Sequence, residues 1–253
     1  DELVAAGAQA PVLQRIAYFE TDAPDGIEAM MAAKPTAFEA YDALADETCL
    51  IAFTSGTTGV PKGTMHFHRD LLSVCRTASG LILEPTQDDL FAGTPPLAFT
   101  FGLGGLAMFP LHVGAASFLI EAPTPAALLA AIERHQVSVA FSAPTAYRAM
   151  LAEIEGRDLS SLRCAVSAGE HLPKPLFDAF LEKTGIRLMD GIGSTEMLHT
   201  FIAARQGEIR PGATGKVIPG YRARVVDEAM NEVPPGEVGR LAVKGPTGCR
   251  YLA

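Results

Sequence analysis

Apolar and polar residues fall into blocks along the 253-residue chain, and the period within each block predicts an element. An acidic, alanine-rich approach over residues 22–47 leads to Thr48–Phe53, which reads as a short buried strand running into a polar, glycine-rich turn. From His68 to Leu83 the apolar positions Leu71, Leu72, Cys75, Ala78 and Ile82 have helical spacing. Ala115–Ile120 reads as a strand, and Pro125–His135 as a helix that Thr124 caps and a proline opens. Strand Val137–Ser142, helix Pro144–Ile154, strand Arg163–Ser167, helix Pro173–Thr184 and strand Ile186–Met189 continue the series. Such alternation predicts an α/β fold of mainly parallel βαβ layers, with ligand loops at the carboxyl ends of the strands. Beyond Gly191 the helical period is lost, and short runs such as Ala223–Val226 and Val238–Val243 are split by Pro-Gly and Pro-Pro-Gly turns. The expected organisation is a lead-in over 1–46, an α/β subdomain over 47–199 and a smaller β-rich subdomain over 200–253.

One stretch complicates this picture. Leu90–Ile120 contains no Asp, Glu, Lys or Arg, and about twenty apolar residues suffice to cross a bilayer. Pro95, Pro96 and Pro110, together with Gly93, Gly102, Gly104, Gly105 and Gly114, break it into short pieces. Short apolar pieces between Gly and Pro are what a parallel sheet buried on both faces produces, so no membrane span is expected. Apolar residues make up 48% of the chain and charged ones 19%, enough for a sizeable core. Twenty Lys and Arg against twenty-nine Asp and Glu give a net charge of −9, which argues against nucleic-acid or anionic-membrane partners. Cys49, Cys75, Cys164 and Cys249 form no C-x-x-C pair and read as reduced packing residues of a cytoplasmic protein. The chain opens on Asp1 without a recognisable targeting peptide and stops at Arg250-Tyr-Leu-Ala253, directly after a strand-like run. It is expected to be a piece of something longer.

The strongest chemical signal is Thr54-Ser-Gly-Thr-Thr-Gly-Val-Pro-Lys-Gly63. Gly56, Gly59 and Gly63 let the backbone come close to a ligand and turn its N–H groups inward. Thr54, Ser55, Thr57 and Thr58 add hydroxyls, and Lys62 adds one positive charge. Together they make a polyphosphate cradle. It is not a Walker P-loop, because Pro61 precedes the lysine and Gly63 follows it. The segment resembles the phosphate-binding signature of the adenylate-forming superfamily, which includes acyl- and aryl-CoA synthetases, luciferases and peptide-synthetase adenylation domains. The resemblance implies the core fold of that superfamily. It also implies a loop that holds the β- and γ-phosphates of ATP while a carboxylate attacks the α-phosphorus, a reaction that needs N–H and cationic donors where charge develops.

Asp190-Gly-Ile-Gly-Ser-Thr-Glu196 lies at the end of a predicted strand and resembles the second core motif of the superfamily. By that resemblance Asp190, Gly191, Ile192, Gly193 and Ser194 border the nucleotide, Thr195 contacts the adenylate and Glu196 binds Mg²⁺. Many members carry Tyr where Ile192 stands, and isoleucine there is associated with the benzoate-CoA ligase branch. Ser167-Ala-Gly-Glu-His-Leu-Pro173 resembles the adenine-facing turn, with Gly169 and Glu170 as the residues carried over. Pro95–Gly105 and Met197–Phe201 look like the benzoate and 2-aminobenzoate-CoA ligases, which implies an acid pocket formed by Phe101, Phe109, His199 and Thr200. Gly236–Pro246 resembles the strand before the hinge of the family and is a structural marker.

The resemblance therefore implies a ligase acting on ATP, an aryl acid and coenzyme A. An adenylation domain that loads a carrier protein, and a nucleotide-binding fragment without turnover, remain alternatives. The N-terminal portion of the family core and the small C-terminal domain with its adenylation lysine have no counterpart in the sequence, so this chain alone is expected to be inactive and to associate through exposed core surface. His66-Phe-His68 has the spacing of a strand-face pair but no accompanying Cys or carboxylate cluster at zinc spacing, and reads as the entry to the following helix. The chain has no G-x-S-x-G elbow for a hydrolase.

Overall fold

A computed structural model describes residues 2–54 and 61–252 of the protein. The chain divides into two compact units, at Asp42 and Ala43. The first contains helices Glu2–Gln9 and Ile27–Ala32.

Thr48–Thr54 (β1) and Lys62–Phe67 (β2) form an antiparallel hairpin in which Thr54 faces Lys62 and Ala52 faces Thr64. Both expectations for this region need correction. β1 is not buried: Ala52 is covered, but Ile51 and Phe53 are 44% and 63% exposed, because an apolar run does not say which of its faces will find a neighbour. His66 belongs to β2, and the helix begins at His68. That helix runs through His68–Val74 and continues as a π-helical segment, Cys75–Leu83. The Asp70 carboxylate caps it by accepting the Phe67 N–H at 3.0 Å.

Five strands form the parallel part of a larger sheet: Leu90–Gly93 (β3), Ala116–Phe118 (β4), Val139–Ser142 (β5), Cys164–Ala168 (β6) and Leu188–Gly193 (β7). Thr200–Ala203 (β8) and Lys216–Val217 (β9) extend it antiparallel, giving the order β4-β3-β5-β6-β7-β8-β9. Arg222–Val226 (β10) and Arg240–Lys244 (β11) form a separate antiparallel hairpin, and Arg250–Tyr251 (β12) pairs with β2. The fold is the expected α/β architecture with a parallel-dominated sheet and smaller antiparallel elements.

Side chains alternate across the sheet and build a core on each face. On β5, Val139 and Phe141 join one core while Ala140 joins the other; on β6, Cys164 and Val166 oppose Ala165. Helices Pro125–His135, Pro144–Met150 and Lys174–Thr184 cover the Ala140–Ala165 face with Leu128, Ile132, Tyr147 and Phe180. The buried Tyr147 hydroxyl donates to the Val166 carbonyl at 3.0 Å, which satisfies a polar group that burial would otherwise penalise. Thr124 caps its helix as expected, accepting the Ala127 N–H at 3.1 Å.

The charge-free stretch is partly helical. Thr100–Leu103, the π-helical Gly104–Met108 and Phe109–Val113 form one continuous segment despite its glycines and Pro110. Close packing explains the glycines. A Cβ on Gly102 would stand 2.2 Å from the Pro96 carbonyl oxygen, and one on Gly105 would stand 2.4 Å from the Phe141 ring. Among the described residues no helix is long and apolar enough to cross a membrane. All four cysteines are free. Burial pushes the thiols of Cys75 and Cys164 up to about 11 and about 12, whereas Cys49 is exposed.

At the amino ends of the strands, Arg163 forms a two-pronged ion pair with Asp89, Nε to Oδ1 at 2.8 Å and Nη2 to Oδ2 at 2.6 Å. Burial alone would raise the Asp89 carboxyl, but hydrogen bonds from Arg163, the Thr86 N–H and Ser138 outweigh it and hold the group at about 2. A carboxyl depressed in the folded state stabilises it above the ordinary carboxylate range and loses that contribution as pH falls toward about 2. Arg163→Met is expected to cost about 2 kcal/mol at pH 7, by leaving a buried carboxylate short of donors. Urea unfolding should show the difference from wild type narrowing between about pH 4 and pH 2.

Candidate active site

The carboxyl ends of β6 and β7 lie side by side, with Ser167 opposite Asp190 and Ala168 opposite Gly191. β6 leaves the sheet through Gly169, whose φ of +86° suits glycine. β7 leaves through Gly193, where a Cβ would stand 2.7 Å from the His199 carbonyl oxygen. These two glycines form a wall shared by two cavities.

The first cavity, of about 210 Å³, lies between Phe99–Phe101, Ala168–Gly169 and Gly193–Thr195, with His199 and Thr200 at its floor. The second, of about 330 Å³, is bounded by Gly169–His171, Asp190–Gly193 and Thr214. Adjacent spaces that share Gly169 and Gly193 suit a ligand with two parts of different chemistry.

Thr195 and Glu196 sit on a tight turn between β7 and β8. The Met197 N–H donates to the Ser194 carbonyl at 3.2 Å and the Leu198 N–H to the Thr195 carbonyl at 3.0 Å, and Leu198 takes a left-handed φ of 68°. The turn holds Glu196 half-exposed, with Oε1 accepting the Tyr251 hydroxyl at 3.2 Å. Tyr251 in turn lies beneath Lys62, whose Nζ is 5.5 Å from the ring centroid, in cation–π range. Lys62 and Glu196 thus flank one phenol, brought there because β12 pairs with β2 and sets Tyr251 opposite Thr64.

Asp190 is half-withdrawn from water. Its Oδ2 accepts the Thr214 hydroxyl at 2.8 Å, while Oδ1 is buried without a hydrogen-bond partner. Burial raises the carboxyl above its usual range, and Thr214, the Gly191 N–H and His171 offset this in part. Glu170 accepts from the Thr145 N–H and hydroxyl at 3.3 and 3.2 Å, and Ile192 is a partly exposed wall of the larger cavity.

His199 is buried in an aromatic box, with ring centroids of Phe109 at 4.6 Å, Phe101 at 5.8 Å and Phe141 at 6.5 Å. Neither ring nitrogen makes a well-aligned hydrogen bond, and burial, offset in part by the Phe101 backbone, pushes the imidazole down to about 4, so it is neutral near pH 7. Phe101 and Thr200 share the first cavity with it. Phe109 does not reach that wall; it stands behind His199, fully buried.

Of the other predicted residues, Thr54 ends β1, while Ser55, Gly56, Thr57, Thr58 and Gly59 lie outside the described residues. No group of three or more His, Cys, Asp or Glu side chains gathers at metal-binding distance among the described residues. Glu196 offers a half-exposed carboxylate, an oxygen donor of the kind a hard cation such as Mg²⁺ takes. Sequence reasoning missed His66, Tyr251 and Gly104. Each reaches the site through contacts between distant segments, which no local pattern records.

The sequence model of the family described as "AMP-binding enzyme" matches residues 3–251. The chain belongs to the AMP-binding enzyme family. Over 241 residues it is 37% identical to the benzoate–CoA ligase of Thauera aromatica, a match covering 94% of this chain and 46% of that protein. Its fold superposes on the anthranilate CoA ligase AuaEII in complex with anthranoyl-AMP with a TM-score of 0.83 and 37% identity, over 87% of this chain and 44% of that one. A benzoate CoA ligase from Burkholderia xenovorans LB400 gives the same TM-score at 32% identity, over 98% and 50%. This AMP-binding chain spans about half the length of the relatives it matches.

Proposed function

We propose that the protein carrying this chain joins an aromatic carboxylic acid of the benzoate or 2-aminobenzoate type to coenzyme A through an acyl-adenylate. In the first step an acid oxygen attacks the α-phosphorus of ATP, the bond to the β-phosphate bridging oxygen breaks, and pyrophosphate leaves. In the second the sulfur of coenzyme A attacks the acyl carbon, its thiol proton passes to solvent, and AMP leaves with the electron pair. The observation that carries this reading is the pair of cavities sharing the Gly169–Gly193 wall, with an aromatic box on one side and the Asp190 carboxylate on the other. The ring would rest against Phe101 and His199, and the nucleotide against Gly169–Glu170 and Asp190–Ser194. The reacting carboxylate would then lie by Gly169 and Gly193, which both spaces share, with Thr195 at the edge of the first. The likeness to a ligase solved in complex with anthranoyl-AMP supports an acyl-adenylate as the ligand.

Lys62 and the backbone N–H groups of Ser55–Gly59 would offset charge on the polyphosphate. Glu196 would hold Mg²⁺, which when bound neutralises phosphate charge and orients the leaving group. Neutral His199 provides a polar handle in an otherwise apolar box and would hydrogen-bond a ring amino or hydroxyl substituent. Pyrophosphate exchange in the full-length protein tests the reading: benzoate and 2-aminobenzoate should exceed octanoate by roughly 100-fold in kcat/KM. His199→Leu should reduce 2-aminobenzoate exchange about tenfold and benzoate exchange much less, since only the substituent loses its partner. Equal rates with octanoate and benzoate would remove the aryl assignment.

A further inference from the structure

His66 is fully buried on β2, a place where an imidazole is costly unless it is hydrogen-bonded. Its Nε2 lies 2.8 Å from the Thr195 carbonyl oxygen, across 129 residues of sequence. A carbonyl oxygen only accepts, so Nε2 carries the proton and donates. Nδ1 faces the buried Asp70 carboxylate at 3.7 Å, beyond hydrogen-bond range, and Asp70 also accepts the Phe67 N–H that caps the helix.

The Thr195 carbonyl already receives the Leu198 N–H within its own turn. The imidazole is therefore not needed to satisfy an orphaned acceptor or to close the turn. What the bond adds is registration: it fastens the turn bearing Thr195 and Glu196 to the strand that begins with Lys62, about 13 Å back along β2. We propose that His66 is a positioning residue that, through the Thr195 carbonyl, sets the separation between the Lys62 and Glu196 sides of the nucleotide site. The role rests on the adenylating function proposed above. His66 touches no reacting atom; it acts on where the Glu196 carboxylate stands relative to Lys62.

The test uses His66→Leu, which keeps bulk without a donor, and His66→Gln, whose amide N–H₂ can occupy the Nε2 position. Both are made in the full-length protein. Calorimetry measures Mg²⁺-ATP and benzoate affinities separately, and pyrophosphate exchange measures turnover. Leu is expected to weaken Mg²⁺-ATP binding about tenfold, raise the half-saturating Mg²⁺ concentration and cut exchange about 30-fold, while benzoate affinity changes less than about twofold. Gln should return each value to within about threefold of wild type. Equal impairment of both variants, or loss of benzoate and nucleotide affinity together, would reduce His66 to a packing residue and overturn the proposal. A wild-type protein that binds Mg²⁺-ATP but exchanges with no aryl acid would overturn the ligase reading instead, and the His66 proposal would then be decided on the Mg²⁺-ATP affinities alone.

Discussion

Gly104→Ala is expected to weaken binding of the aromatic acid at least tenfold while leaving nucleotide affinity near wild type. The added Cβ would stand 2.3 Å from Cδ2 and 2.6 Å from Nε2 of His199, so the ring must move. Phe109 and Phe101 pack against the imidazole, and the cavity of about 210 Å³ is the open side. Displaced into that space, the imidazole takes the volume the substrate ring would fill. Gly104 has an ordinary helical φ of −62°, so the effect is one of packing and not of backbone strain. Overpacking of this kind costs about 1–3 kcal/mol of stability. Calorimetric titration with benzoate should show at least a tenfold loss of affinity, corresponding to about 1.4 kcal/mol. Gly207→Ala is the control, because that glycine is exposed and an added Cβ meets nothing within 4 Å. Unchanged benzoate affinity in Gly104→Ala would remove the acid from the His199 cavity.

Glu196→Gln should lower pyrophosphate exchange on the order of 100-fold, with part of the loss recovered at raised Mg²⁺. The amide keeps the side chain's size and can still accept the Tyr251 hydroxyl, so the turn from Ser194 to Leu198 should survive. What disappears is the anionic oxygen that a hard cation prefers. Several kcal/mol of transition-state charge stabilisation are at stake in such a site, enough for that factor. Benzoate affinity should not change, because Glu196 does not line the aromatic cavity. A defect indifferent to Mg²⁺ and accompanied by weakened acid binding would place Glu196 with the acid and not the metal.

Much of this molecule is legible in order along the chain. The alternation from Ala115 to Met189 predicts four of the five parallel strands, all but Leu90–Gly93, and their helices, because each element buries one periodic face, and Thr124 and the prolines mark helix starts by local backbone chemistry. The cradle around Lys62 and the Asp190–Glu196 segment declare themselves in the same way, since glycines, hydroxyls and one cation or carboxylate at fixed spacing are a local property. Properties that depend on distant partners are not legible. β1 reads as buried and is half exposed, since burial is decided by what packs on it. Thr100–Val113 reads as broken pieces and is helical, because Pro96, His199 and Phe141 need its glycines for close approach. Only the tertiary structure sets Tyr251 between Lys62 and Glu196, places Phe109 behind His199 and joins His66 to Thr195. Residue types suited to phosphate can be read from the sequence; the remote contacts that position them cannot, because pairing between distant strands has no period.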